Sequence, residues 1–377
     1  MRILFRSIVV GAVSLTFSAS CRSPQSAAPP AQESKDAAFT AAAHDYLEDL
    51  YRRQPTQATY LGIHKYDDTL ENYSRQGVAE TVAALRQFRE RIAAIDPASL
   101  SADNQLDRVQ VLHAIDSRLL TLEVVRPWAR DADTYSSGVT NTAYIMIKRA
   151  FAPPEERLRR LIAREKAMPG ALAEARTNLE NPPRIYTQIA IDQLDGNRSF
   201  FQAAVSEAFK DVKDKALLAE FKTANDAVIA ALADYKKWLQ SDLLERSKGE
   251  FAFGEDTYRK KLAADEMIVV PLDQLLATAE RDLKKNQALF AEAAKRIDPK
   301  RTPQQVLAVV EADHPPADKL LSTTQAELEA IGRFMADRHI VTVPKAAPAR
   351  VQETPPFLRA TTTASMDTPG PFETVAN

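Results

Sequence analysis

Apolar side chains recur at the spacing of an α-helix along most of this chain, and prolines mark where one such stretch ends and the next begins. In the longest regular stripe, residues 217–243, Leu, Phe, Val and Tyr return at intervals of three, four or seven positions. Glycine supplies only 10 of the 377 residues, whereas ~7% is usual, so tight turns are few. The sequence therefore predicts an all-α protein built as a multi-helix array.

Capping residues and prolines predict where individual helices begin and end. Ser74 opens one apolar stripe, whereas Ser101 and Thr302 are predicted N-caps, with Pro303 at the first helical position after Thr302. Residues 55–74 and 126–139 show no sustained period and are predicted to be irregular. Pro169 is predicted to break or kink the helix that contains it, because proline removes a backbone donor.

The charge balance excludes some classes of partner. There are 49 basic and 51 acidic residues, and the isoelectric point is about 6.3. The chain therefore lacks the basic footprint of a nucleic-acid-binding protein, and it has no basic tail for anionic lipid.

The N-terminus has the layout of a bacterial export signal. Arg2 and Arg6 form a short positive region, and residues 8–17 form an apolar run that is too short to span a bilayer. Small residues follow at positions 18–20, directly before Cys21. We expect the protein to be exported to the periplasm or the outer membrane.

Cys21 is the only cysteine of the chain, so no intramolecular disulfide can form. A cysteine just after small residues resembles a lipoprotein cleavage site, although Ser18 stands where leucine is usual. We expect lipidation of Cys21, since an unpaired thiol is otherwise uncommon in an exported protein. An ordinary cleaved signal with an incidental cysteine is the alternative.

The sequence divides into four parts. Residues 1–21 are the predicted signal segment with its lipoprotein cysteine, and residues 22–34 form a Ser-, Pro- and Ala-rich flexible tether. Residues 35–339 form the predicted helical domain. Residues 340–377 change abruptly to prolines and β-branched residues, which favour extended backbone.

The histidines give no complete metal site. His44 and Glu48 lie one helical turn apart and could share a metal, but a surface pair is the simpler interpretation. His314 lies in the polar stretch EADHPPAD, which is typical of a turn between helices and is the other candidate. The remaining histidines have no partners at ligand spacing: His64, His113 and His339.

No catalytic motif is recognisable either. No histidine is followed by glutamate, which excludes the H-E-x-x-H zinc signature. A phosphate loop, a nucleophile elbow and a dinucleotide fingerprint are also absent from the sequence. The residues alone thus predict no catalytic and no metal-binding residue in this chain.

Five separated stretches have distinctive sequences that helix formation alone does not require. In chain order they are DYLEDLYRRQPTQATYLGIHKYDDTLENYS, DRVQVLHAIDSRLLTLE, YIMIKRAFAPPEERL, MPGALAEARTNLENPPRIYTQIAI and ETPPFLRATTTASMDTPGPFE. Together they resemble bacterial domain-of-unknown-function family 885, from about Ala38 to the last residue. Members of that family are commonly exported lipoproteins.

The resemblance implies a fold and an activity. The family resembles helical zinc metallopeptidases of the gluzincin type, and its members normally continue into a helix with a His-Glu pair followed by Pro-Gly-His. Zinc would then polarise a water and the glutamate would act as general base. This sequence stops before that motif, so we expect a truncated product with no zinc of its own and no activity alone. The substrate of the full-length relative would be a short peptide or an amino-acid conjugate.

The same resemblance suggests which residues line a substrate cleft, namely Tyr135, Arg149, Arg359 and Asp367. The alternative function is a non-catalytic helical envelope lipoprotein that binds a ligand or a partner. In both cases we expect contact with the membrane only through the lipid anchor.

The segment from Val351 to Phe372 is expected to lack partners within the chain. In the resembling enzymes such a segment belongs to a small sheet at the edge of the cleft. Without that sheet, Phe357 and Phe372 would be exposed and the segment would be mobile.

Overall fold

The computed structural model describes residues 30–342, 349–359 and 361–374. The described residues form helices and no strand, apart from one isolated bridge between Pro183 and Gly249. The all-α class predicted from the sequence is therefore confirmed. The predicted signal segment and Cys21 lie outside the described residues.

The chain forms two compact units, one comprising Met1–Ile268 with Met366–Asn377 and the other Val269–Ser365. The division into four parts that the sequence suggests stays a prediction. The α-helices of the first unit are α1 (Pro30–Arg53), α2 (Pro55–Leu61), α3 (Arg75–Ala93), α4 (Ala102–Leu120), α5 (Pro127–Arg130), α6 (Asp133–Lys148), α7 (Pro154–Asn178), α8 (Arg184–Ser199), α9 (Ser206–Ala208), α10 (Lys215–Trp238), α11 (Leu244–Arg246) and α12 (Gly254–Glu266). Those of the second unit are α13 (Leu272–Ile297), α14 (Pro303–Ala312) and α15 (Leu320–Asp337).

Three helices of the first unit continue directly into π-helical turns. These turns are Thr121–Val125 after α4, Phe200–Val205 between α8 and α9, and Leu239–Leu243 between α10 and α11. Each inserts a residue into the helical register and so shifts the face that packs inward. Short 3₁₀ turns occur at His64–Tyr66, Pro97–Ser99, Ala317–Lys319 and Pro356–Leu358.

The first core lies among α1, α3 and α4. Phe39, Leu85, Ile92 and Ile115 are almost completely buried there. These residues belong to the stripes that the sequence places on one face of each helix, which is why the three helices pack together.

The second core lies among α6, α7, α8 and α10. Side chains without exposed surface include Met146, Leu161, Leu194 and Val228, one from each helix. Helices α7 and α10 run parallel, as surface ion pairs at successive levels show: Arg159 with Asp214 at 3.0 Å and Lys166 with Glu220 at 2.6 Å.

The predicted cap at Ser101 is confirmed, Ser74 is a further cap, and the predicted irregular stretches are wrong in part. The backbone N–H groups of Gly77 and Asn104 donate to the hydroxyls of Ser74 and Ser101 at 3.0 and 3.4 Å. Residues 55–74 contain α2, which is only seven residues long and therefore too short to show a period.

A second predicted irregular stretch is corrected, and of the break or kink predicted at Pro169 the break is absent, while the kink stays a prediction. Residues 126–139 contain α5 and the first turns of α6, where Ser136 and Val139 are buried. Helix α7 also continues through Pro169 without a break. An internal proline costs ~3 kcal/mol, and the packing of α7 against both α6 and α10 compensates for it.

The second unit buries little. Ala294, Val306 and Phe357 are its buried apolar residues within the described part of the chain. Helix α14 begins with the predicted Thr302 cap, whose hydroxyl accepts from Gln305 in a capping box. The apolar side chains of α13 and α15 are largely exposed.

The C-terminal segment departs from the prediction. Phe357 has no exposed surface, whereas Phe372 is 46% exposed as expected. Residues 366–374 belong to the first unit and hydrogen-bond to it. The prediction that this segment lacks partners within the chain is wrong, because Phe357 is buried and because polar side chains and backbone groups hold residues 366–374.

Candidate functional site

Two cations at the end of α6 hold one carboxylate of the C-terminal segment. Arg149 donates through Nη2 to Asp367 Oδ1 and to the carbonyl oxygen of Thr368, both at 2.6 Å. Nζ of Lys148 lies 3.1 Å from the other oxygen of Asp367. The Arg149 side chain is only 7% exposed, so this hydrogen bond to a charged group is largely shielded from water.

His64 holds the second carboxylate of the same segment. It lies in the 3₁₀ turn after α2, with Nδ1 2.9 Å from Asp67 Oδ2 and Nε2 3.4 Å from Glu373. Its ring stacks on Phe151 with centroids 3.8 Å apart. Burial lowers the pKa of His64, but the hydrogen bond and charge of Asp67 and the charge of Glu373 outweigh this and raise it overall.

Asp67 has a fully buried side chain and several donors. Thr59 Oγ1 donates to it at 2.6 Å and Arg160 Nη1 at 3.2 Å, while Arg164 Nη2 lies at 3.8 Å. Burial raises the pKa of Asp67, yet the hydrogen bonds from His64 and Thr59 and the nearby positive charges lower it overall. The carboxylate is therefore ionised and fixes the orientation of the imidazole.

Two glycines allow the segment to approach the end of α2. The backbone N–H of Phe372 donates to the carbonyl oxygen of Leu61 at 2.9 Å. A Cβ added to Gly62 would lie 2.3 Å from the nitrogen of Glu373, and one added to Gly370 would lie 2.3 Å from the carbonyl carbon of Leu61. Gly62 also has a φ of 88°, which favours glycine.

A separate group of buried polar residues lies in the second core. Glu165 of α7 has no exposed surface, and neither of its oxygens has a hydrogen-bond partner among the described residues. Burial raises the pKa of Glu165 to about 9. Asn197 of α8 is equally buried and equally without partners in the described part of the chain. Glu165 is thus a neutral carboxylic acid at pH 7.

The structure brings together two of the four residues predicted to line a cleft, Arg149 and Asp367. Tyr135 is fully buried, and its hydroxyl donates to the carbonyl oxygen of Trp128 at 2.5 Å. Arg359 lies in the second unit and pairs with Glu353 at 3.0 Å. The lining role of the four residues stays a prediction.

Sequence reasoning missed the residues around His64. The usable signals were the His64-x-x-Asp67 spacing in one turn and the arginines at 157, 160 and 164, which share one face of α7. The contact with Glu373 joins residues more than 300 positions apart, so no local signal could have revealed it.

The described residues do not fit a zinc ion. No group of three His, Cys, Asp or Glu side chains in that part of the chain could hold a metal. Both nitrogens of His64 are already engaged by carboxylates. His44 is exposed, while Glu48 pairs with Lys65 at 2.6 Å. His314 is exposed, and its Nδ1 lies 2.9 Å from the carbonyl oxygen of Pro315.

Comparison with known proteins places this chain in a family. Residues 55–376 match the family described as bacterial protein of unknown function (DUF885). Because the match spans most of the chain, this protein belongs to that family.

One solved structure is similar along most of the chain. It is described as a candidate lipoprotein of unknown function from Shewanella oneidensis, with 25% sequence identity and a TM-score of 0.69. The similarity covers 90% of this chain and 63% of that one, so this chain spans less than two thirds of its length. No curated protein matches this sequence.

Within the described residues, no helix has both the length and the apolar character that crossing a bilayer requires.

Proposed function

We propose that this chain is the N-terminal helical part of an exported, lipid-anchored metallopeptidase-like protein, whose zinc is held by residues that this chain does not contain. Its helices would form one wall of a cleft that admits short peptides or amino-acid conjugates. The observation that carries the proposal is the double attachment of residues 366–374, through Asp367 and Glu373.

This attachment is what a cleft-bordering segment needs. In the enzymes that the family resembles, the extended segment ahead of the zinc helix borders the substrate. A segment that positions substrate must be held in one register, because small displacements reduce catalysis strongly. Here the buried Arg149 and close backbone contacts hold residues 366–374 in one position.

A test of the enzyme hypothesis begins with the DNA beyond codon 377. A frame that encodes His-Glu followed by Pro-Gly-His supports it. The polypeptide from that frame, co-expressed with residues 22–377, should then bind zinc and hydrolyse dipeptides or N-acyl amino acids in a chelator-sensitive manner. The two parts purified separately should not. The absence of any such frame would overturn the proposal.

The lipid anchor rests on the layout around Cys21 and on the description of the Shewanella protein. A Gram-negative host should incorporate labelled palmitate into the full-length chain, and Cys21→Ser should abolish the label. Ser20→Ala serves as the matched control and should keep it. Label retained by Cys21→Ser, or a freely soluble periplasmic product, would refute the anchor.

A second candidate function, a non-catalytic lipoprotein that binds a partner, is favoured by the second unit. On α13, the side chains of Leu276, Leu283 and Ile297 are between 57 and 66% exposed. Exposed apolar surface of this kind marks interaction sites. Co-expression also separates the two functions, because a non-catalytic partner complex would show no chelator-sensitive hydrolysis.

A further inference from the structure

The two carboxylates of the C-terminal segment are held by different kinds of cation. Asp367 faces Lys148 and Arg149, and lysine and arginine are residue types that ordinarily carry a positive charge. Glu373 faces His64, whose charge can change near neutral pH. One attachment is therefore permanent, whereas the other depends on protonation.

The side chain of Glu373 is buried, so the loss of charge on its partner would affect it strongly. That side chain is only 2% exposed, and His64 is the cation that pairs with it among the described residues. A buried carboxylate that loses its positive partner is strongly destabilised, because its desolvation is no longer compensated. Deprotonation of His64 would leave Glu373 in that condition.

The charged groups around His64 act in both directions, since Asp67 favours the charged imidazole whereas Arg160 and Arg164 oppose it. Asp67 accepts from Nδ1, and its own charge is shared with Arg160 and Arg164 of α7. Arg160 pairs in turn with Glu156 and donates to the backbone carbonyl of His64 at 2.9 Å. Phe151, stacked on the ring, is uncharged.

The segment has little else to hold it at that end. Met366 is 75% exposed and Phe372 is 46% exposed, so apolar burial contributes little. Among the described residues, the contacts recorded there are the close backbone approach of Gly370 to Leu61, the hydrogen bond from Phe372 to Leu61 and the contact of Glu373 with His64.

We propose that His64 and Glu373 form a protonation-dependent latch, which keeps residues 370–374 docked while the imidazole is charged and releases them when it is neutral. The arginine-held carboxylate at Asp367 keeps the rest of the segment attached. The inference concerns this chain alone and holds whether or not the protein is part of an enzyme.

The charges determine the direction in which docking changes with pH. Docking is tightest at mildly acidic pH, where His64 is protonated. It weakens as pH rises through the pKa of His64, which its two carboxylate neighbours raise overall against the opposing effect of burial.

Hydrogen exchange measured by mass spectrometry tests the latch in the chain comprising residues 22–377. Labelling at pH 5.5 and pH 8.5 is compared after scaling the times to the intrinsic exchange rates. We expect the peptide that covers residues 370–374 to be about tenfold or more better protected at pH 5.5, which corresponds to the loss of one hydrogen bond to a charged group.

Three variants test whether His64 and Glu373 cause the dependence of this protection on pH. His64→Gln should exchange rapidly at both pH values, and Glu373→Gln should show no dependence on pH. His44→Gln, the same substitution at an exposed histidine, should behave like the wild type. If His64→Gln fails to fold, Glu373→Gln tests the pair from the other side. Equal wild-type protection at both pH values, or a dependence that survives in either variant of the pair, would overturn the latch.

Discussion

Glu165 offers the sharpest test of the buried polar residues. Its side chain is fully buried in α7, without a hydrogen-bond partner among the described residues, and burial raises its pKa to about 9. The folded chain therefore keeps a proton on Glu165 that the unfolded chain loses above its ordinary pKa of 4.5. Unfolding releases this proton, so stability falls as pH rises from about 4.5 to about 9.

The magnitude follows from proton linkage. One proton bound only by the folded state changes the free energy of unfolding by about 1.4 kcal/mol per pH unit. Between pH 5 and pH 8 the loss amounts to ~4 kcal/mol from this residue alone. Replacing Glu165 by Gln preserves the shape and removes the titration, so the variant should gain ~4 kcal/mol relative to the wild type over this interval.

The assay is equilibrium unfolding in urea, followed by far-ultraviolet circular dichroism at pH 5, 6, 7 and 8. At each pH the free energy of unfolding of the wild type is subtracted from that of Glu165→Gln. The change of this difference with pH is informative, because packing effects that do not depend on pH cancel. Glu174→Gln, a half-buried site in the same helix, should follow the wild-type profile. A stability difference that is the same at pH 5 and pH 8 would show that Glu165 is ionised in the folded protein, and the reasoning from burial would fail.

Three further predictions concern the docked segment and metal binding. Asp367→Ala leaves the shielded Arg149 without its carboxylate and should loosen the segment by about 1.5–3 kcal/mol in hydrogen exchange, whereas Glu353→Ala, which breaks an exposed pair, should change less than ~1 kcal/mol. Gly370→Ala should also undock the segment, because its Cβ would lie 2.3 Å from a backbone carbon. Gly170→Ala is the control: its Cβ meets nothing within 4 Å, and the substitution should stabilise α7 by up to ~1 kcal/mol. Protection that is unchanged in Asp367→Ala and Gly370→Ala would refute the proposed contacts. The purified chain should hold well under one zinc per molecule by elemental analysis, and one tightly bound zinc would contradict this.

Local rules predicted much of the fold. The caps at Ser101 and Thr302 depend on one hydroxyl and a backbone donor three residues away, so the sequence contains all that is needed. Helix α2 escaped prediction because seven residues cannot display a period, and its helicity depends on the burial of Ala58 and Thr59. Pro169 does not end its helix, because the cost of a proline is local, whereas the packing that compensates for it is not.

The candidate site was predicted only in part, for a related reason. Arg149 and Asp367 were selected because their stretches resemble a family, and the structure brings them to 2.6 Å across 218 positions of sequence. His64 and Glu373 were not selected, since nothing in either stretch indicates the other. Contacts between distant segments depend on the whole path of the chain, which periodicity and capping do not determine.

The scarcity of glycine bears on how specifically the segment is docked. Only 10 of 377 residues are glycine, yet two of them, Gly62 and Gly370, lie where the segment meets the end of α2, and a Cβ on either would overlap backbone atoms. In a chain that otherwise avoids glycine, each such residue adds backbone entropy that folding must overcome. Gly370 also stands midway between Asp367 and Glu373 and begins a turn in which the backbone N–H of Glu373 donates to its carbonyl oxygen at 3.0 Å. One short segment therefore presents a carboxylate, a residue without a side chain and a second carboxylate to matching partners. Burial of apolar side chains alone would not require this arrangement of residues, because the Phe372 side chain is 46% exposed. The segment is therefore recognised by charge and close backbone fit, which is the kind of attachment that a single change of protonation can release.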